Sequence, residues 1–382
     1  MKISLPDTRG HLAEYRLVGE PVAPVSMTPD SARVVYSAAH VVRDPFADVD
    51  LSGPAAIDWD ATLAFRGHLV GLGLGVAEAM DTAQRGMGLD WLNALDLIRR
   101  TKSAFPDALV ANGCGTDHVD PADVETLDDV IGAYLAQVEA IQSAGGRIIL
   151  MASRALCRAA RGPEDYAKVY GRVLNACDAP VILHWLGEMF DPALAGYWGA
   201  ADFASALDTV LDIIKDNVSK VDGIKVSLLD AQKEIEMRRR LPPPVRMFTG
   251  DDFNYPELIA GDDEGFSHAL LGIFDPLSVH AASAVQKLTA GDRTGFRAIL
   301  DPTVPLARHI FRAPTHYYKT GVVFLAWLNG HQSHFTMIGG AEAMRSLPYF
   351  VECFKKADAC GALAKPHLAV ERMQSLLRLY GV

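Results

Sequence analysis

The run Val221-Asp222-Gly223-Ile224-Lys225-Val226-Ser227 places a lysine inside a short, largely apolar stretch. An ammonium gives up its water to enter such a run, which makes lysine unusual there. Burial disfavours the charged form and pulls a lysine pKa toward neutrality. A neutral amine can attack a keto carbonyl and form an iminium, an electron sink for making or breaking the adjacent C–C bond. The alternative is a structural lysine paired with a neighbour such as Asp251, and spacing alone does not separate the two. A second short run, Val245 to Thr249, follows and is closed by Gly250-Asp251-Asp252. One use for those aspartates is to cap the next helix and place acid in its first turn, as expected of at least one of them. His184 closes the run Pro180–Leu183. It reads as a hydrogen-bonded histidine at a strand end or as a general acid/base beside Lys225.

Such groups need a frame. Short continuous apolar runs are the mark of parallel strands covered on both faces. Eight are found: 33–42, 75–80, 108–111, 147–151, 180–183, 221–226, 245–249 and 265–267. Helical spacing fills the gaps at 58–70, 91–103, 124–144, 163–176, 203–217, 230–240 and 253–260. Alternating strands and helices of this number predict a (β/α)8 TIM barrel. A doubly wound sheet would show a glycine-rich phosphate loop after an early strand. The only candidate, Gly71-Leu72-Gly73-Leu74-Gly75, precedes a strand instead. The predicted organisation is an N-terminal β-hairpin extension at 1–26, the barrel at 27–275, and a C-terminal helical region at 276–382. In that last region the pair Tyr317-Tyr318 reads as packing.

Barrel active sites sit at the C-terminal ends of strands. The polar groups expected there are His40, Asp81 with Thr82, Asn112, Asp117, His118, Ser153 with Arg154, His184, Lys225, Ser227, Asp251 with Asp252, and His268. A competing reading takes His40, Asp81, His184 and His268 as ligands of a divalent metal in a hydrolase or isomerase. No HxH or HExxH spacing favours it. A third reading is a ligand-binding barrel without catalysis.

Bulk composition narrows the partners. The chain has 382 residues, 49% hydrophobic and 22% charged, with a net charge of −11. That balance argues against nucleic acid or an anionic membrane as partner. The five cysteines (114, 157, 177, 353 and 360) show no paired spacing and read as reduced thiols of a cytoplasmic protein. The start, MKISLPDTRG, is polar and unlike a signal peptide, and no apolar stretch reaches membrane-spanning length.

Taken together, Gly223-Ile224-Lys225-Val226-Ser227, Met247-Phe248-Thr249-Gly250-Asp251-Asp252, Gly265-Phe266-Ser267 and Pro180-Val181-Ile182-Leu183-His184-Trp185 resemble the dihydrodipicolinate synthase / N-acetylneuraminate lyase superfamily. The resemblance covers about residues 33–330. It implies a class I, Schiff-base aldolase or lyase acting on pyruvate or another 2-keto acid, assembled as a homo-oligomer (dimer or tetramer). It calls for no cofactor and no metal. Lys225 would form the iminium, and His184 would move protons. Asp81, Thr82, Arg85, Ser227, Asp251 and His268 would bind substrate. The departures are specific. His184 stands where the family has a tyrosine, Met80-Asp81-Thr82-Ala83-Gln84-Arg85-Gly86 replaces its carboxylate loop, and Met151-Ala152-Ser153-Arg154 replaces a second tyrosine. Met189 falls near the arginine that the synthase uses on its second substrate. These departures point to a divergent branch rather than a true dihydrodipicolinate synthase.

Overall fold

A computed structural model describes all residues, 1–382. It opens on an antiparallel hairpin, β1 (Lys2–Pro6) and β2 (Leu12–Arg16). Eight parallel strands then close into a barrel: β3 (Val35–Ala38), β4 (Gly75–Glu78), β5 (Val110–Cys114), β6 (Arg147–Leu150), β7 (Val181–Leu186), β8 (Val221–Ser227), β9 (Arg246–Thr249) and β10 (His268–Leu271), with β10 hydrogen-bonded to β3. The strands are short and apolar because helices cover the barrel outside and side chains fill it inside. Tyr36, Ala38, Ala77, Ala111, Ile149, Ile182, Phe248 and Leu270 pack together within it.

The intervening helices are α1 (Trp59–Gly71), α2 (Trp91–Ala104), α3 (Leu127–Ser143), α4 (Arg154–Ala159), α5 (Pro163–Ala176), α6 (Phe203–Asp216), α7 (Ala231–Arg240) and α8 (Tyr255–Ala260). Most start where a side-chain oxygen caps the first turn: Asp58, Asp90, Thr126, Ser153, Asp202 and Asp230 do so for α1, α2, α3, α4, α6 and α7. These caps hold the barrel-mouth loops in place.

The C-terminal helices are α9 (Ser278–Thr289), α10 (Arg293–Leu300), α11 (Val304–Ile310), α12 (Tyr318–Leu328), α13 (Leu347–Ala359) and α14 (Pro366–Leu379). They share one core with α1, α8, β10 and the hairpin, whose Ile3 and Leu5 are buried in it. The Tyr15 hydroxyl donates to Asp358 Oδ2 at 2.8 Å, tying β2 to α13. None of the helices is long and apolar enough to cross a membrane.

The largest departure from expectation is the last barrel strand. It was placed at 265–267 but runs from His268 to Leu271. Gly265 closes a turn onto Asp262, and Ser267 Oγ donates to Glu234 Oε1 at 2.6 Å, so both are spent before the strand begins. The fully buried run Ala269-Leu270-Leu271 supplies the pairing to β3.

Candidate active site

On β8 the alternation of a strand turns Gly223, Lys225 and Ser227 into the barrel. A Cβ on Gly223 would lie 2.6 Å from the Phe248 ring, so glycine here lets β9 pack close below the lysine. Lys225 is buried, and its stem passes against Gly250. A Cβ on Gly250 would sit 2.7 Å from Lys225 Cε and 2.3 Å from Ser227 Oγ. The glycine between Thr249 and Asp251 therefore makes the channel in which the lysine lies.

The ammonium of Lys225 has no ion-pair partner. Asp252 and Asp81 face it across a small chamber also lined by Thr82, Leu186, Phe190, Phe311 and Tyr318. Burial lowers the lysine pKa, against the pull of Asp81 and Asp252. Burial raises Asp252 to about 7, against the Ile273 N–H that its Oδ1 accepts at 2.8 Å and against Lys225. Both shifts favour a neutral amine beside a neutral acid over a buried ion pair.

Opposite the lysine, Thr82 Oγ1 and the Tyr318 hydroxyl lie 2.9 Å apart. Thr82 follows β4, and Tyr318 opens α12, stacked on Phe311 at a centroid distance of 4.3 Å. Burial and the charge of Asp81 hold the phenol well above its ordinary pKa, so Tyr318 keeps its proton. Tyr318, read from sequence as packing, is thus a wall of the lysine chamber. No local signal placed it there, since it comes from a helix after the barrel and reaches the mouth through tertiary packing.

His184 sits beside Lys225 in the β7–β8 register. Its Nε2 is 3.2 Å from Ser227 Oγ, while Nδ1 is buried without a partner. Burial, then the Lys225 charge, pushes the imidazole well below its ordinary pKa, so it is neutral at pH 7. His184 lines a cavity of about 460 Å³ with Asp81, Thr116, Asp117, His118 and Arg154. A larger cavity of about 1200 Å³ opens above, and Asp81 lines all three spaces.

Residues 3–382 match the family model DUF993, described as a protein of unknown function. The chain belongs to the DUF993 family. No curated protein matches it in sequence. Among solved structures it is similar to the 4-hydroxy-tetrahydrodipicolinate synthase of Methylacidiphilum fumariolicum SolV, at 14% identity and a TM-score of 0.64, covering 89% of this chain and 99% of that one. Dihydrodipicolinate synthase from Bacteroides thetaiotaomicron gives 14%, 0.62, 87% and 98%. The enzyme from Oceanobacillus iheyensis gives 15%, 0.58, 80% and 89%. At these identities the likeness is one of fold: this DUF993 chain has the barrel of the superfamily its motifs resemble.

Three of the expected substrate contacts in this DUF993 chain lie elsewhere or are already occupied. His268 begins β10 instead of following a strand, so it sits at the N-terminal end of the barrel. Its Nδ1 accepts the Val34 N–H at 2.9 Å, away from Lys225. Asp251 is a loop cap: Oδ1 accepts the N–H groups of Phe253 and Asn254 at 2.8 and 3.0 Å, and Oδ2 accepts from the Asn254 amide. Its neighbour Asp252 is the acid that faces the lysine. Arg85 lines the mouth, but its guanidinium is spent on both Asp117 oxygens, on the carbonyls of Ala79 and Gly113, and on Gln137. It braces the ends of β4 and β5 instead of offering a free fork to a carboxylate. The four metal candidates do not converge either: His40 is bound to Asp275 at 2.8 Å and His268 is at the far end.

Proposed function

We propose that this protein is a class I aldolase or lyase that holds pyruvate or another 2-keto acid as a Schiff base on Lys225. The observation that carries the reading is a buried lysine with no ion-pair partner, beside an acid of raised pKa and a pair of hydroxyls, at the C-terminal end of barrel strand β8. The neutral amine adds to the C2 carbonyl. The carbinolamine takes a proton on its oxygen and loses water to leave the iminium. The iminium then accepts the electron pair of the C3–H or C3–C4 bond and becomes an enamine. In the synthetic direction the enamine returns that pair to an electrophilic carbon.

Each proton step has a group in place. Asp252, raised to about 7, holds or returns the proton that Lys225 must lose. Tyr318 donates to the departing hydroxyl, with Thr82 as its hydrogen-bonded partner. Asp81, half-buried between the chamber and the mouth, is placed to take the proton or to face the electrophile. His184 and Ser227 form a second hydrogen-bonding pair on the substrate's other side. Because the imidazole is neutral and hard to protonate, it orients substrate in this scheme; Tyr318, protonated and backed by Thr82, hydrogen-bonds the departing oxygen, and Asp252 and Asp81 move protons. Of the superfamily's carboxylate loop only the Thr82 hydroxyl has a counterpart in Met80–Gly86, which supports a reaction other than dihydrodipicolinate synthesis.

The test is reductive trapping. Incubation with pyruvate and borohydride should add the reduced keto acid to Lys225, read by peptide mass mapping. Tyr318→Phe should keep the adduct and slow turnover.

A further inference from the structure

The mouth cavity of about 1200 Å³ is far larger than a three-carbon keto acid requires, and its cations are not equivalent. Arg85 is consumed by Asp117 and two carbonyls. Arg154 donates through Nε to Asp191 Oδ2 at 2.5 Å. Lys319 is different. It is 4% exposed, it lines the cavity, and no carboxylate pairs with it. Its Nζ reaches only Met87 Sδ at 3.1 Å and the His316 carbonyl at 3.3 Å. Asp81 and Asp191 face it at longer range, as does Arg154. A buried ammonium without a counter-ion is costly, and an anion arriving from outside would offset that cost.

The geometry points to an anion subsite at Lys319 that holds a carboxylate or phosphate on the part of the substrate remote from the keto group. This rests on the Schiff-base reading of Lys225 for its place in a reaction, and not for the binding itself. The lysine chamber and the mouth meet at Asp81, Leu186, Phe190 and Tyr318, which line both. A substrate carbonyl on Lys225 would therefore run past Asp81, with its far end in the space bounded by Lys319 and Arg154. Burial lowers Lys319 to about 8, which leaves it mostly charged at neutral pH. The substrate class is an acidic aldehyde, or the acidic 2-keto acid that aldol addition of a keto acid to it would give.

The test uses the full chain with succinate and inorganic phosphate as probes, each titrated calorimetrically into wild type, Lys319→Met and Lys319→Arg. Wild type should bind at least one probe, Lys319→Met should bind it about tenfold or more weakly, and Lys319→Arg should retain it. Tighter phosphate points to a phosphorylated substrate, and tighter succinate to a carboxylated one. In the wild-type chain the bound probe should also slow acetic anhydride labelling of Lys319 relative to exposed Lys215, which decides the matter if Lys319→Met does not fold. Absence of binding, or binding that neither Lys319→Met weakens nor labelling detects, overturns the subsite. Pyruvate trapping on wild-type Lys225 is read separately. An adduct without anion binding sinks the subsite alone, and anion binding without an adduct sinks the Schiff-base reading alone.

Discussion

The two ends of β8 carry opposite solutions to a charge in a strand. At its start Asp222 is ion-paired with Arg246 of β9. Three residues on, Lys225 lies deeper and has no such partner. At the N-terminal end of the barrel the His268 ring accepts Val34 N–H and Glu234 Oε1 accepts from Ser267, while Glu234 Oε2 is buried without a partner. The C-terminal end repeats the second solution, with Lys225 and Lys319 both buried and unpaired and with Asp81 facing each. A half-exposed ion pair is worth about 0–1 kcal/mol. A buried unpaired charge costs several times that, and folds keep it where function requires it. The contrast sets the side-chain pairs at the base of the barrel against the unpaired lysines on which the proposed Schiff base and anion subsite rest.

That contrast can be broken by substitution. Lys225→Met should abolish keto-acid trapping and turnover, a loss of at least about 10³-fold, while the barrel still folds because Met matches the lysine stem and leaves no buried polar group unpaired. Tyr318→Phe should lower turnover by about 10²-fold and leave the adduct in place, measured as kcat against trapping yield. Gly250→Ala should cost about 10²-fold in turnover or less, because the new Cβ would press on Lys225 Cε and Ser227 Oγ and shift the amine. Arg246→Ala, at the other end of β8, should leave trapping unchanged and lower stability by about 1 kcal/mol or less by chemical denaturation.

The acids of the two ends make a further comparison. Burial raises Asp252 from 3.8 to about 7 at the mouth and Glu234 from 4.5 to about 8 at the base. A carboxyl raised in the fold stabilises it fully below its unfolded value, and that stabilisation is lost as pH rises through the folded value. The stability that these two carboxyls contribute should therefore fall between about pH 4 and pH 8, read as the difference in thermal melts between wild type and each variant. Asp252→Asn should flatten the lower part of that slope and Glu234→Gln the upper part, while only Asp252→Asn should alter the pH dependence of trapping.

What the sequence shows follows from where each signal is encoded. The barrel was legible because nearly every strand is a local apolar run and most of its helices carry their own spacing and cap. Lys225, Asp81 and Thr82 were legible because strand ends fix which residues face the mouth. The assignment failed where one boundary slipped: ending the last strand before His268 put that residue at the wrong end of the barrel. Choosing between Asp251 and Asp252 needed the loop geometry, since adjacent aspartates point to different neighbours. Arg85 looked free because its partner Asp117 lies on the next loop. Tyr318 and Lys319 had no readable signal, since a helix shows its own periodicity and not the distant cavity it roofs.

The most direct measurement is borohydride trapping of the wild-type protein with pyruvate and a panel of 2-keto acids, followed by peptide mapping. The account predicts a mass gain of one reduced keto acid on Lys225 and none on Lys319. No adduct with any keto acid, or an adduct on Lys319 in place of Lys225, would contradict it.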